Sequence, residues 1–111
     1  MLSPDLELVR QIADEIDVIN KLLKSKTFDE VINDIFLKRT LIKCLDVIGE
    51  ASKKISEEFK SSHPDISWRS IIDTRNKIIH DYSGIDYDII RSIVNSDIPE
   101  LEFQIKNILN A

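Results

Sequence analysis

The chain predicts an all-α fold, an up-and-down bundle of four to five helices in a single domain covering residues 1–111. Three observations carry that expectation. Apolar residues recur at steps of three and four through every long segment, the period of a helix with one buried face. Two helix-start signals, Ser3-Pro4 and Thr27-Phe28-Asp29-Glu30, stand immediately before such segments. Hydrophobic residues make up 42% of the 111 positions, with two glycines and three prolines, a balance that argues against disorder and against a turn-rich all-β fold.

The first helix begins at Ser3-Pro4, a cap followed by proline at the first helical position, with Asp5 and Glu7 near the positive end of the helix dipole. Leu6, Val9, Ala13, Ile16, Asn20 and Leu23 step along one face, and Lys21, Lys24 and Lys26 gather at the far end. Asn20 within that stripe reads as a rim residue that hydrogen-bonds between helices. Thr27 and Glu30 have capping-box spacing, so a second helix starts there. Its apolar positions Val31, Ile32, Ile35 and Phe36 run without proline or glycine into Leu41, Leu45, Ile48, Ser52, Ile55 and Phe59. A break between Asn33 and Arg39 would be invisible to the pattern. Gly49 sits inside this helix, where glycine costs about 1 kcal/mol relative to alanine, and predicts the close approach of another helix. Glu50, Lys53 and Lys54 lie off the Leu41 face, on a surface that is either solvated or turned toward another subunit or RNA.

Lys60-Ser61-Ser62-His63-Pro64-Asp65 reads as the clearest loop, and Asp65 or Ser67 as the cap of the next helix. That helix buries Trp68, Ile71, Ile72, Ile78 and Ile79, with Trp68 as a core anchor. Ser83-Gly84 makes a turn and Asp86 supplies the following cap. Ile89, Ile90, Ile93 and Val94 form the next buried face. Pro99 either breaks that helix or opens a new one from Asp97-Ile98-Pro99-Glu100, and Leu101, Ile105, Ile108 and Leu109 close the bundle.

No stretch approaches the roughly 18 apolar residues of a membrane span, and the start Met-Leu-Ser-Pro-Asp has no signal-peptide character, so a cytoplasmic protein without membrane contact is expected. The single Cys44 falls in an apolar helical pattern and reads as a small packed thiol. His63 has no second histidine or cysteine at ligand spacing, and no metal site is expected. The net charge of −5 argues against tight binding along a long polyanion. Residues 52–80 nevertheless carry six basic against four acidic side chains, a weakly positive island in an acidic body.

Within that island, Arg75-Asn76-Lys77-Ile78-Ile79-His80-Asp81-Tyr82 stands out. At about 100° per residue from Trp68, Arg75 falls at roughly −20°, in the middle of the apolar stripe. A guanidinium cannot be neutralised and is rarely buried without a partner. Asn76 and His80 form an i, i+4 pair on the adjacent flank, with Asp73 beside them. One permanent cation, one imidazole, one amide and one phenol within eight residues suit chemistry on a phosphate. About 140° separates Arg75 from His80 on a regular helix, however, so bringing them together needs either a helix end near His80 or two copies of the motif facing each other.

The string R-x-x-x-x-H-x-Y filled by Arg75, His80 and Tyr82 resembles the signature of HEPN-domain ribonucleases, and more narrowly of the HepT-like toxins of MNT/HepT toxin-antitoxin systems. Ile48-Gly49-Glu50-Ala51-Ser52-Lys53-Lys54-Ile55-Ser56 and His63-Pro64-Asp65-Ile66-Ser67-Trp68-Arg69 stand at the same family's spacing, and the likeness runs from about Leu6 to Leu109. Asp81 departs from it, since many relatives carry a small residue there. The resemblance implies a HEPN-type symmetric homodimer whose paired motifs line a cleft, and metal-independent endoribonuclease activity on messenger or transfer RNA through attack of a ribose 2′-hydroxyl. Arg75 and His80 would be catalytic, with Asn76, Tyr82, Asp73 and Lys77 supporting them or binding RNA. It also implies a type VII-like system in which a nucleotidyltransferase antitoxin of the MNT type silences the toxin by AMPylation of Tyr82. ATP and magnesium would belong to that partner, and no cofactor is expected for this chain. Two other readings stand beside it. One is an inert helical dimer in which Arg75 pairs with Asp73 or Glu50 for structural reasons; the other is a non-catalytic nucleotide-binding or adaptor subunit of a nucleotidyltransferase complex.

Overall fold

The computed structural model describes residues 3–80 and 84–110, and among them it is all-α. Helix α1 (Pro4–Lys24) starts where Ser3 Oγ accepts the Leu6 N–H at 3.1 Å. Its buried line is Val9, Ile12, Ile16 and Ile19, turned slightly from the expected stripe. Asn20 is therefore exposed, and its amide donates to Glu102 at 3.0 Å, tying α1 to the last helix as expected of a rim residue.

The long second helix expected from Thr27 to Phe59 is three helices. Helix α2 (Phe28–Ile32) opens with the capping box: Thr27 accepts from the Glu30 N–H and Glu30 accepts from the Thr27 N–H. Asp34 then adopts an extended backbone and accepts from the Phe36 and Leu37 N–H groups, which starts α3 (Ile35–Lys54). That carboxylate satisfies two otherwise unpaired helix-start donors, so the break falls there although the apolar pattern continues. At the other end Ile55 turns extended and Ser56 caps α4 (Glu57–Ser62). Asp5 of α1 fixes this second break, taking hydrogen bonds from the Ser56 N–H at 2.9 Å and the Ser56 hydroxyl at 2.7 Å. Lys60–Ser62, expected in a loop, are thus helical, and the loop is confined to residues 63–67.

Helix α5 (Trp68–His80) begins directly after Ser67, whose carbonyl accepts the Ile71 N–H. Trp68 is buried, as expected of an anchor, and its indole N–H donates to the His63 carbonyl at 3.1 Å. It also meets the Phe59 ring edge-on, and Phe59 packs on His63. Asp86 caps α6 (Tyr87–Ser92), as expected. Ile90, Ile93 and Val94 are buried, but Ile89, expected on the same face, is exposed. A π-helical segment, Ile93–Asp97, joins α6 to α7 (Ile98–Leu109). Pro99 adds no N–H to the ladder and its ring crowds the carbonyl four residues back. The backbone accommodates it by widening to the i−5 bond from Ile98 N–H to Ile93 O.

α3 is the central helix, packed on α1 along one side and on α5 along another, while α7 lies against α1. Their buried side chains form one core, from Val9 and Ile16 through Leu41 and Ile48 to Ile90 and Ile105. Cys44 belongs to it. Burial, followed by the charge of Glu15 and a hydrogen bond to it, pushes the Cys44 thiol up to about 12. Ser52, fully buried, returns its hydroxyl to the Ile48 carbonyl at 2.7 Å, so no polar group is stranded on the α3–core face. Among the described residues no helix is long and apolar enough to cross a membrane.

Candidate active site

The crossing of α3 and α5 positions the arginine of the motif. Gly49 is buried on α3, and a β-carbon built on it would stand 2.1 Å from Arg75 Cβ and 2.4 Å from Arg75 Cγ. Only hydrogen fits, so the close approach expected at Gly49 is made by the stem of Arg75 itself. With its stem laid across α3, the guanidinium reaches two carboxylates one helical turn apart. Nε donates to Asp46 Oδ1 at 2.9 Å, and Nη2 lies 2.9 Å from Glu50 Oε2. Nη1 donates to Asn76 Oδ1 at 3.0 Å. The Arg75 side chain retains 21% of its accessible surface, Asp46 19% and Glu50 38%. The cation therefore sits at the margin of the core, paired and still reachable.

Counting donors shows what it can still do. A guanidinium has five N–H groups, one on Nε and two on each terminal nitrogen. Asp46 takes the Nε–H and Asn76 one N–H of Nη1, while Glu50 stands 2.9 Å from Nη2 as an ion pair, so each terminal nitrogen keeps at least one N–H that neither hydrogen bond uses. N–H groups left on the terminal nitrogens of a permanent cation can donate to phosphate oxygens.

Asn76 is half-buried and lies about 100° from Arg75 and about 40° from His80 around the helix, so it spans the angular gap between them. Its Oδ1 is engaged by Arg75, which leaves its amide N–H groups as donors. His80, one turn beyond Asn76, is exposed. Lys77 is exposed as well. Asp73 does not join Arg75; it stands 3.9 Å from Arg69 on the solvent side of α5. Of the two carboxylates weighed as partners for Arg75, Glu50 is the one used, and Asp46 joins it unforeseen. Tyr82, together with Asp81, Ser83 and the side chain of Ile79, lies outside the described residues.

Three of the six basic side chains in the positive island of residues 52–80 are paired with carboxylates. Lys60 pairs with Glu57 at 3.5 Å, Arg69 with Asp73, and Arg75 with its two carboxylates. A cavity of about 120 Å³ between α3, α5 and the π–α7 segment has Arg75 in its wall, beside Ile48, Ile78, Ile93 and Leu101. Its lining is mainly apolar, which makes it packing space behind the arginine.

Comparison with known proteins places the chain in a family. The family model described as "Ribonuclease HepT-like" matches residues 12–108. The chain belongs to the HepT-like ribonuclease family. Endoribonuclease is the enzyme class that this membership gives it. A "Putative RNase" of Caldanaerobacter subterraneus subsp. tengcongensis is 36% identical over 101 residues, covering 91% of this chain and 90% of the relative. A "Probable ribonuclease HepT" of Thermococcus cleftensis is 35% identical over 96 residues, 86% of this chain and 87% of the relative. A "Putative RNase" of Methanocaldococcus jannaschii is 38% identical over 106 residues, 92% of this chain and 84% of the relative. No solved structure matches the chain significantly.

Proposed function

We propose that this HepT-like protein is the toxin of a toxin-antitoxin pair and cleaves RNA without a metal ion, at a composite site formed by two copies of the α5 motif. The observation that carries the reading is Arg75, a cation anchored by two hydrogen bonds and an ion pair to Glu50, with at least one donor left on each terminal nitrogen and an exposed imidazole a turn and a half further along the same helix. A ribose 2′-hydroxyl attacks the neighbouring phosphorus, and the bond to the 5′-oxygen breaks to leave a cyclic phosphate and a free 5′-hydroxyl. Histidine is the side chain that can take or return a proton near neutrality, and His80 has that role. Arg75 holds the equatorial oxygens, where negative charge accumulates in the transition state. Asn76 supplies a further amide donor, and Lys77 and Tyr82 contact RNA.

A twofold homodimer supplies what one helix lacks. With about 140° between Arg75 and His80, the imidazole of one subunit meets the guanidinium of the other more readily than its own. The antitoxin is a small nucleotidyltransferase that uses ATP and magnesium to transfer AMP to Tyr82: the phenol oxygen bonds to the α-phosphorus, the α–β phosphoanhydride bond breaks, and pyrophosphate leaves. The added phosphate brings negative charge to the place of the substrate phosphate. Mass spectrometry after co-expression reads that step as one AMP on Tyr82.

The test of the reaction is incubation of purified protein with cellular RNA in excess EDTA. Fragments ending in cyclic phosphate and beginning with 5′-hydroxyl support the reading. Intact RNA, or cleavage that EDTA stops, overturns it.

A further inference from the structure

We propose that Asp46 and Glu50 are positioning residues for RNA cleavage: together they aim the Arg75 guanidinium so that the N–H groups left on its terminal nitrogens face the reacting phosphate. The proposal rests on the ribonuclease reading above and adds to it two carboxylates that never touch substrate.

Both lie on α3, one turn apart, on either side of Gly49. They take up Nε and Nη2 of Arg75 at 2.9 Å each, while Gly49 lets the stem of Arg75 lie flat on the helix between them. An arginine held by its stem alone samples many rotamers, and closing on a phosphate would cost that freedom at each turnover. Held by two hydrogen bonds and the Glu50 ion pair, it is already in place when charge develops on the phosphate, which is where a fixed donor lowers a barrier most. The arrangement has an opposing effect. Two carboxylates beside one guanidinium leave a local charge of −1, which repels the RNA backbone in the ground state. Lys43, 3.5 Å from Asp46, is largely exposed and offsets this weakly.

The two effects separate kinetically. An acceptor without charge, as in D46N or E50Q, keeps the aim and removes repulsion; removal of the acceptor, as in D46A or E50A, loses both. The experiment measures kcat and KM on a single-stranded RNA oligonucleotide of random sequence carrying a fluorophore and quencher. It also follows the Arg75 Nε–H resonance, assigned by its loss in R75K. D46A and E50A are expected to lower kcat roughly ten- to thirty-fold. D46N and E50Q are expected to stay within about three-fold of wild type in kcat and to lower KM about two- to five-fold. The Nε–H resonance should exchange faster in D46A and recover in D46N.

Alanine variants that keep kcat within about two-fold of wild type, or amide variants that lose as much kcat as alanine with KM unchanged, overturn the proposal. Should D46A not fold, D46N alone decides through the direction of its KM. A wild-type protein that leaves the probe intact defeats the ribonuclease reading instead, and the Nε–H resonance then judges the aiming role by itself.

Discussion

The α-carbon of Gly49 lies so close to Arg75 that any side chain at position 49 would overlap the arginine's Cβ and Cγ, at 2.1 and 2.4 Å. Neither atom is a flexible tip, so relief requires α3 and α5 to part. Gly49→Ala should therefore destabilise the fold by about 2–4 kcal/mol despite alanine's better helix propensity. It should also lower RNA cleavage by more than the loss of folded protein explains. Urea denaturation beside an activity assay on the folded fraction checks both; an alanine variant as stable as wild type would contradict the packing.

Asp5 and Ser56 give a pH-dependent prediction. The Ser56 N–H, then its hydroxyl, hold the Asp5 carboxyl below its ordinary value; burial opposes this slightly and the charge of Lys60 assists. A carboxyl whose pKa is depressed on folding stabilises the fold above its unfolded value, and that contribution disappears as pH falls through the folded value. Asp5→Ala should lower Tm by a few degrees at pH 7. The gap between wild type and variant should close progressively below about pH 4. Tm measured between pH 7 and pH 2 tests this, and a gap that stays constant would count against it.

Cys44 should be inert in the native protein. With the thiol raised to about 12, its thiolate fraction at neutral pH is about a thousand-fold below that of a free cysteine, and its burial blocks access as well. Labelling by an aromatic disulfide reagent should be slow without denaturant and prompt in urea. Prompt native labelling would show that the α1–α3 contact opens.

The composite site proposed above requires two subunits. Light scattering after size exclusion at micromolar concentration should give about twice the chain mass of 12.8 kDa. A monomer alone at that concentration would remove the facing motif on which the proposed site depends.

Several signals that act within one turn were legible in the sequence, although the local caps at Asp34 and Ser56 were passed over because the apolar pattern runs through them, and contacts across the fold were not legible. Ser3, Thr27 and Asp86 cap helices through bonds to residues two or three positions away, and each could be read directly. Gly49 announced a close approach by being costly where it stands. The break at Ser56 escaped also because Asp5, which fixes it, is 51 positions away. Asp46 escaped for the same reason: on α3 it is one polar residue among several, and it acquires meaning only once Arg75, 29 positions on, is laid across Gly49. Two carboxylates flanking a mid-helix glycine, upstream of an arginine in an apolar stripe, were the available signal. The π segment before Pro99 is likewise a compromise between proline sterics and core packing at Ile93, Val94 and Ile98, which pattern alone does not resolve.

The most direct measurement is the cleavage rate of one RNA probe at neutral pH by wild type, His80→Ala and Arg75→Ala, with circular dichroism to establish that each is folded. Loss of at least about a hundred-fold in each variant is the predicted result. A folded His80→Ala protein that cuts as fast as wild type would contradict the account.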